Sequence, residues 1–289
     1  MFGEAHAHLF MNGYDYRKAV ETHKGHIEER VLRGYLEEYR KRGVTFIRDG
    51  GDDLGVSSFV KTIAPEYGID YRTPAFAIHK NGCYGSIVGK GFDTVKEYES
   101  LVLEAKKRGA DFIKLMVSGI VDFSRYGVIT SMPLTREEMR EFFHIAHEKG
   151  MAVMVHANGA ETVRNAAECG ADSIEHGRYV DEEAIEAMAE YHTIWVPTVV
   201  TVRNLLGCGR FPDEIVKRLY EEDCRNLRLG KEKGAILGLG SDAGAYLVPH
   251  GKGIEDEYRT FQEIFGASEE LDNFLRKGEE ELRERFQRS

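Results

Sequence analysis

A junction repeated six times along the chain sets the terms for its folding. A charged, helix-like segment ends at a glycine and an apolar run follows at once: Lys41-Arg42-Gly43-Val44, Glu66-Tyr67-Gly68-Ile69, Lys107-Arg108-Gly109-Ala110, Glu148-Lys149-Gly150-Met151, Glu168-Cys169-Gly170-Ala171 and Glu232-Lys233-Gly234-Ala235. Glycine suits the left-handed position just past a helix. A nearby lysine or arginine suits the negative end of the helix dipole. The chain therefore alternates helix and strand. Strands are predicted near 2–8, 44–49, 72–78, 111–117, 151–157, 172–176, 193–197 and 235–241, with helices between them near 28–42, 53–67, 94–108, 135–149, 159–169, 181–191 and 213–233. Thr135-Arg136-Glu137-Glu138 opens one of these helices with a capping-box pattern. Further helices are predicted near 254–265 and 268–287, and the charge run from Glu279 to Arg288 reads as a solvated face. Eight strands alternating with helices predict an α/β fold of the (β/α)8 TIM-barrel type, with a doubly wound open sheet as the competitor. With no Pro- or Ser-rich linker, a single domain over 1–289 is expected.

Charge and composition exclude several partners. Lys plus Arg is 39 and Asp plus Glu is 49, for a formal charge of −10. That balance argues against nucleic acid and anionic membrane surfaces, which require basic patches. No run approaches the ~18 apolar residues of a membrane helix, and no signal peptide is read at the N-terminus. Cys83, Cys169, Cys208 and Cys224 are scattered without a CxxC, as ordinary thiols of a reducing compartment. A cytoplasmic protein acting on a small molecule is expected, and a homo-oligomer is compatible with it.

The strands end in metal-competent side chains. His6-Ala7-His8 closes the first, Lys114 the fourth, His156 the fifth and His176 the sixth, and Asp242 follows the eighth. A His-x-His on a strand puts both imidazoles on one side. Imidazole and carboxylate suit zinc and neighbouring divalent ions. In a parallel barrel, polar residues at the strands' carboxyl ends gather on the catalytic face. The long segments 9–27, 79–92, 118–134, 198–212 and 243–253 lie on the same predicted face and could shape a pocket.

Five stretches together resemble the amidohydrolase superfamily of metal-dependent hydrolases: Ala5-His6-Ala7-His8, Phe112-Ile113-Lys114-Leu115-Met116, Val155-His156-Ala157-Asn158-Gly159, Ser173-Ile174-Glu175-His176-Gly177 and Gly240-Ser241-Asp242-Ala243-Gly244. The last two look closest to the branch of imidazolonepropionases and metal-dependent prolidases. The resemblance spans roughly 1–265 and implies a role for each residue. His6 and His8 would bind a buried metal and His156 and His176 a more exposed one. Lys114 would bridge both as an N-carboxylated side chain. Asp242 would ligate the buried metal and carry the proton. Most members also build a small β-sandwich from residues before the first strand and after the last helix. Here Met1 lies five residues before His6, so that accessory domain is expected to be absent.

Lys114 has its own physics. An ordinary lysine, with a pKa near ~10.4, is a cation, which two dications in a desolvated site would repel. A neutral amine that has added carbon dioxide is an anionic carbamate with two oxygens. The alternative is a structural or substrate-contacting lysine beside a single metal.

His79, Tyr84, Arg125, Tyr126, Arg178, Arg203 and His250 lie in or beside segments predicted on the active face and are the candidate substrate contacts. An arginine there could hold a carboxylate through paired hydrogen bonds. His144 and His147 fall on a helix outside the strands, and His192 ends a helix; packing or solvent suits them better than metal. The expected function is hydrolysis of an amide, peptide-like or cyclic, by hydroxide generated on two divalent ions, zinc foremost. A lactone or phosphotriester hydrolase, a mononuclear deaminase and a non-catalytic binding barrel are the alternatives. A deaminase of this type would pair His156 with a glutamate three residues on, where Gly159 stands, and would leave Lys114 idle.

Overall fold

The structure, a computed structural model, describes residues 1–287. It is an α/β fold. In chain order it runs β1 (Glu4–Ala7), α1 (Tyr16–His23), α2 (Glu29–Lys41), β2 (Phe46–Asp49), α3 (Val56–Ile63) with a 3-10 turn at Ala64–Tyr67, β3 (Asp70–Arg72), β4 (Ala77–Lys80), β5 (Gly89–Phe92), α4 (Val95–Lys107), β6 (Ile113–Met116), α5 (Arg136–Glu148) and β7 (Val153–Ala157). It continues through α6 (Ala160–Glu168), β8 (Ser173–His176), α7 (Glu182–Glu190), β9 (Ile194–Val196), α8 (Val200–Arg203), α9 (Asp213–Glu232), β10 (Ile236–Leu237), α10 (Lys252–Phe265) and α11 (Glu269–Arg285). All six junction glycines take the left-handed conformation expected of them, with φ between 70° and 94°. Thr135 forms its capping box with Glu138, and Thr94 forms a second with Glu97.

The strands pair in parallel, in two sheets of order β1-β2-β3 and β10-β9-β8-β7-β6-β4-β5. The sheets meet on both flanks. Asp111 N donates to Thr73 O at 2.8 Å on one side; on the other, Ala5 N donates to Leu239 O at 2.9 Å and Asp242 N to His6 O at 2.7 Å. The third predicted strand is broken into β3 and β4. Pro74 has no N–H to give a ladder, and Ala75 sits at φ 65°, so the backbone turns out of register and re-enters as β4. Besides the short α8 within 198–212, two elements arise in segments read as loops. They are α1, capped by the Asp15 side chain, and β5, whose Gly-Lys-Gly-Phe sequence carries no β-branched residue to betray a strand.

The charged tail is a second departure. Its helix α11 is not only a solvated face: Leu271, Leu275, Leu282 and the following Phe286 are buried. Leu282 and Phe286 pack with Ala5, Phe112, Met154, Ile194 and Val196 at the amino ends of the strands. The charges that dominate the run's composition occupy the other side of the helix, as an amphipathic helix requires. Arg288, the last residue of that run, lies outside the described residues. Among the described residues, no helix is long and apolar enough to cross a membrane.

Candidate metal centre

The six expected metal-site residues converge, although Lys114 is the second residue of β6 and does not end it. His6, His8, Lys114, His156, His176 and Asp242 line one cavity of ≈110 Å³. His6 Nε2 and His8 Nε2 each lie 3.6 Å from Asp242 Oδ1, so the His-x-His does present both rings to one point. These three offer donor atoms within 4.8 Å of one another, a group able to hold a metal ion. The His176 ring centre lies 5.1 Å from that of His6 and 4.6 Å from that of His156. His176 (φ 70°) and Asp242 (φ 57°) both adopt the left-handed backbone that non-glycine residues rarely hold. Such strain persists where surrounding structure enforces it, often at functional sites.

Each ring is oriented from behind. His6 Nδ1 faces Glu175 Oε2 at 2.7 Å, which turns Nε2 toward Asp242. Glu175 Oε1 accepts from Arg48 Nη2 at 2.7 Å and from Ser173 Oγ at 2.6 Å; Arg48 Nε donates to Ala5 O at 2.8 Å. His176 Nδ1 meets Thr198 Oγ1 at 2.8 Å, and His156 Nε2 meets Gly119 O at 3.1 Å. His8 packs against the backbone at Gly50, where a Cβ would fall 2.2 Å from its ring carbon, so only glycine fits. Asp49 accepts Leu9 N at 2.8 Å and Gly51 N at 2.7 Å, holding the turn that leaves this space.

Burial sets the protonation. It lowers all four imidazoles, His8 and His156 to about 3, with the Lys114 charge adding to the effect. Neutral imidazole is the form a metal binds. Burial lowers Lys114 to about 8, partly offset by Glu175, while Arg48 pushes the same way as burial. Burial raises Asp242 to about 7 against the pull of Lys114 and Arg178. Within this group the buried Lys114 Nζ has no hydrogen-bond partner. An orphaned amine in a site walled by imidazoles is costly unless something else completes it. The donor set fits a divalent cation.

The substrate-contact candidates divide. Tyr84 lines this cavity and a larger one beside it, with its ring 5.0 Å from that of His156. Arg178 lines the larger cavity, but its guanidinium is held by Asp223 at 3.1 Å, Pro197 O at 2.8 Å and Thr198 O at 2.9 Å. The structure does not bring the others to either cavity. Arg125 pairs with Asp122 at 2.7 Å in the open, and Arg203 with Glu263 at 2.7 Å. Tyr126 is engaged by Glu222 and by the Arg218 guanidinium over its ring. His79 turns its Nδ1 to Lys80 O at 3.0 Å, and His250 is buried between Tyr35 and Tyr39 with Nε2 at 2.8 Å from Met11 O. Loop residues alternate with no fixed period, so position in a loop did not tell which side chains turn inward. Outside the group, His147 meets Asp172 at 2.9 Å. Glu175, Arg48 and Asn158 were not singled out by sequence. Glu175 and Arg48 carried one signal, a charge inside a strand directly after an isoleucine.

A family model described as Amidohydrolase family matches residues 2–262. The chain belongs to the amidohydrolase family. Among curated proteins it is similar to uncharacterised proteins of Mycobacterium bovis and Mycobacterium tuberculosis, 28% identical over 185 residues, or 60% of this chain and 48% of theirs. This amidohydrolase chain thus spans about half the length of the curated relatives it matches. Solved structures share its fold. A Xaa-Pro dipeptidase with bound methionine in the active site matches at TM-score 0.70 and 23% identity, over 96% of this chain and 75% of that one. A prolidase complexed with N-methylphosphonate-L-proline matches at 0.74 and 22%, over 95% and 74%. The A. niger ochratoxinase matches at 0.74 and 19%, over 95% and 68%.

Proposed function

We propose that this chain is a metal-dependent hydrolase of amide bonds, peptide-like or cyclic, with two divalent ions, zinc foremost, held by His6, His8, His156, His176, Lys114 and Asp242. The observation that carries the reading is the buried, unpartnered Lys114 amine among four neutral histidines and Asp242. The scaffold we propose is one closed (β/α)8 barrel. The bonds from Ala5 to Leu239 and from Asp111 to Thr73 support it, because they span both gaps between the sheets.

Lys114, lowered toward neutrality by burial, adds carbon dioxide through its amine lone pair. An N–C bond forms, a proton leaves, and the product is a carbamate whose two oxygens would hold both ions. Bound there, divalent ions acidify water and polarise a carbonyl oxygen. Asp242 borders both cavities. Its carboxylate accepts the proton of the attacking water and passes it to the leaving nitrogen. The C–N bond breaks, and a carboxylic acid and an amine result. Glu175 keeps His6 in one tautomer throughout.

The test is a metal-supplemented screen over N-acyl amino acids, dipeptides, cyclic amides and lactones, with elemental analysis of the same protein. Amide turnover with about two divalent ions per chain is expected. His6→Ala and His8→Ala should lose metal and turnover together. Turnover of lactones alone, or no metal retained after reconstitution, would overturn the reading.

A further inference from the structure

The larger cavity, ≈280 Å³, opens directly from the metal-competent group, sharing Tyr84, His156, His176, Asp242 and Ala245 with the inner one. Its outer wall comes from the segments after β6, β9 and β10. Val121, Phe123, Leu205, Phe211 and Tyr246 make that wall apolar, and they belong to a hydrophobic cluster separate from the main core. A dry wall of this kind beside a polar reaction centre is a recognition surface for an apolar group.

Two arginines line the cavity, and they differ. Arg178 is committed to Asp223 and backbone carbonyls. Arg210 is exposed, and among the described residues no carboxylate pairs with it. Its guanidinium carbon lies 4.4 Å from the Tyr246 ring centre and 5.3 Å from that of Phe211. Stacking on two aromatic faces restrains the guanidinium at the mouth while leaving its donors free. A planar fork presented in this way suits a carboxylate, to which it can donate two bonds.

We propose that this cavity binds the amine-side residue of a small N-acyl amino acid or dipeptide, with a bulky apolar side chain against Val121, Leu205 and Phe211 and a free α-carboxylate on Arg210. The placement of the scissile bond rests on the amide-hydrolase reading. The size fits: ≈280 Å³ lies at the lower edge of the roughly 300–1,000 Å³ typical of small-molecule sites, too little for a long peptide. A charged side chain would meet no partner on this wall.

Binding can be tested apart from turnover with sulfonamide probes that the enzyme cannot hydrolyse. The metal-reconstituted protein is titrated calorimetrically with N-methanesulfonyl-L-phenylalanine, its methylamide, and the alanine and aspartate analogues. The phenylalanine acid should bind about tenfold more tightly than its methylamide and about tenfold more tightly than the alanine acid, with aspartate weakest. Arg210→Gln should erase the acid-over-amide difference and keep the phenylalanine-over-alanine one, while Arg203→Gln, off the cavity, should change neither. Equal binding of acid and amide, alanine or aspartate binding as well as phenylalanine, or Arg210→Gln leaving the acid preference intact overturns the proposal. If the probes behave as expected but N-acetyl-L-phenylalanine is not hydrolysed, the amide-hydrolase reading fails and the binding assignment stands. If amides of polar amino acids turn over equally well, the reverse holds.

Discussion

The two ends of the strands are opposites built from the same segments. Toward the carboxyl end, β7 offers His156 and β8 His176 around His6 and His8, and β6 reaches the same cavity with Lys114 from its second position rather than its last. At the amino end, Phe112, Met154, Ile194 and Val196 meet Leu282 and Phe286 from the far end of the chain. Phe112 and Lys114 are two residues apart, as are Met154 and His156, and strand periodicity puts each pair on one face. β6 and β7 thus each carry an apolar filler below and a donor above. Between the layers lies one charged pair. Arg48 sits with its guanidinium carbon 4.4 Å from the Phe286 ring centre and 2.7 Å, through Nη2, from Glu175, which holds His6. The contrast teaches why the donors stay neutral: a dry floor excludes water, and the cost of charge in the ring above it rises.

The sharpest way to separate the two ends is Asp242→Asn, which keeps the size and one oxygen but removes the base. The turnover number should fall by ~10²–10⁴, with a thermal midpoint close to that of the parent. Near-normal turnover would take the proton-carrying role from Asp242. Glu175→Ala probes the layer between. It leaves the Arg48 guanidinium buried without a carboxylate, which should cost ~3–5 kcal/mol in urea unfolding. It also frees His6, so metal affinity by chelator competition should drop about 10–100-fold. Unchanged affinity would mean that Glu175 serves the floor and not the ring.

Phe286→Ala strikes the floor alone. It should cost about 3 kcal/mol of stability by the same unfolding measurement and leave turnover within about twofold, since 1.4 kcal/mol of barrier would already be tenfold. A loss of turnover comparable to that of Asp242→Asn would show that the ends are not separable. The mildest case is Glu257 on α10, whose carboxylate accepts Val199 N at 2.9 Å and Val200 N at 2.7 Å behind the ring. Burial pushes its pKa up to about 8 in spite of both donors. The folded state therefore holds this proton more tightly than the unfolded chain. The resulting stability is complete below ~4.3, the unfolded value, and is lost as pH rises toward about 8. Urea-unfolding free energies at pH 5 and pH 8.5 should differ less in Glu257→Gln than in the parent, by a few kcal/mol at most.

Helix and strand positions were readable because they rest on local rules. The glycine junctions place helix ends through a backbone preference, and apolar runs mark strands buried on both faces. β5 escaped because a Gly-Lys-Gly-Phe run has no such signature; its pairing with β4 is made by backbone bonds across space. The broken third strand was written in Pro74, yet a proline also fits a strand edge, so sequence could not choose between the two. Arg203, a substrate candidate, and Arg210, which the sequence did not single out, sit in one segment and look alike in sequence. Glu263, sixty positions away on α10, takes the first and leaves the second at the cavity.

By itself the sequence determined the alternation of elements and the donors at their ends, because chirality, the helix dipole and the two-residue period act within a few residues of one another. Tertiary structure alone decided how those donors face one another, which loop side chains reach the cavity, and that Leu282 and Phe286 close the strands from below. The bonds that decide these points join residues far apart in the chain: Glu175 to Arg48, Asp242 to the His6 backbone, Glu279 to Gly3 N at 2.8 Å. Their free energy appears only when burial has removed the competing water, and no local stretch of sequence carries that information.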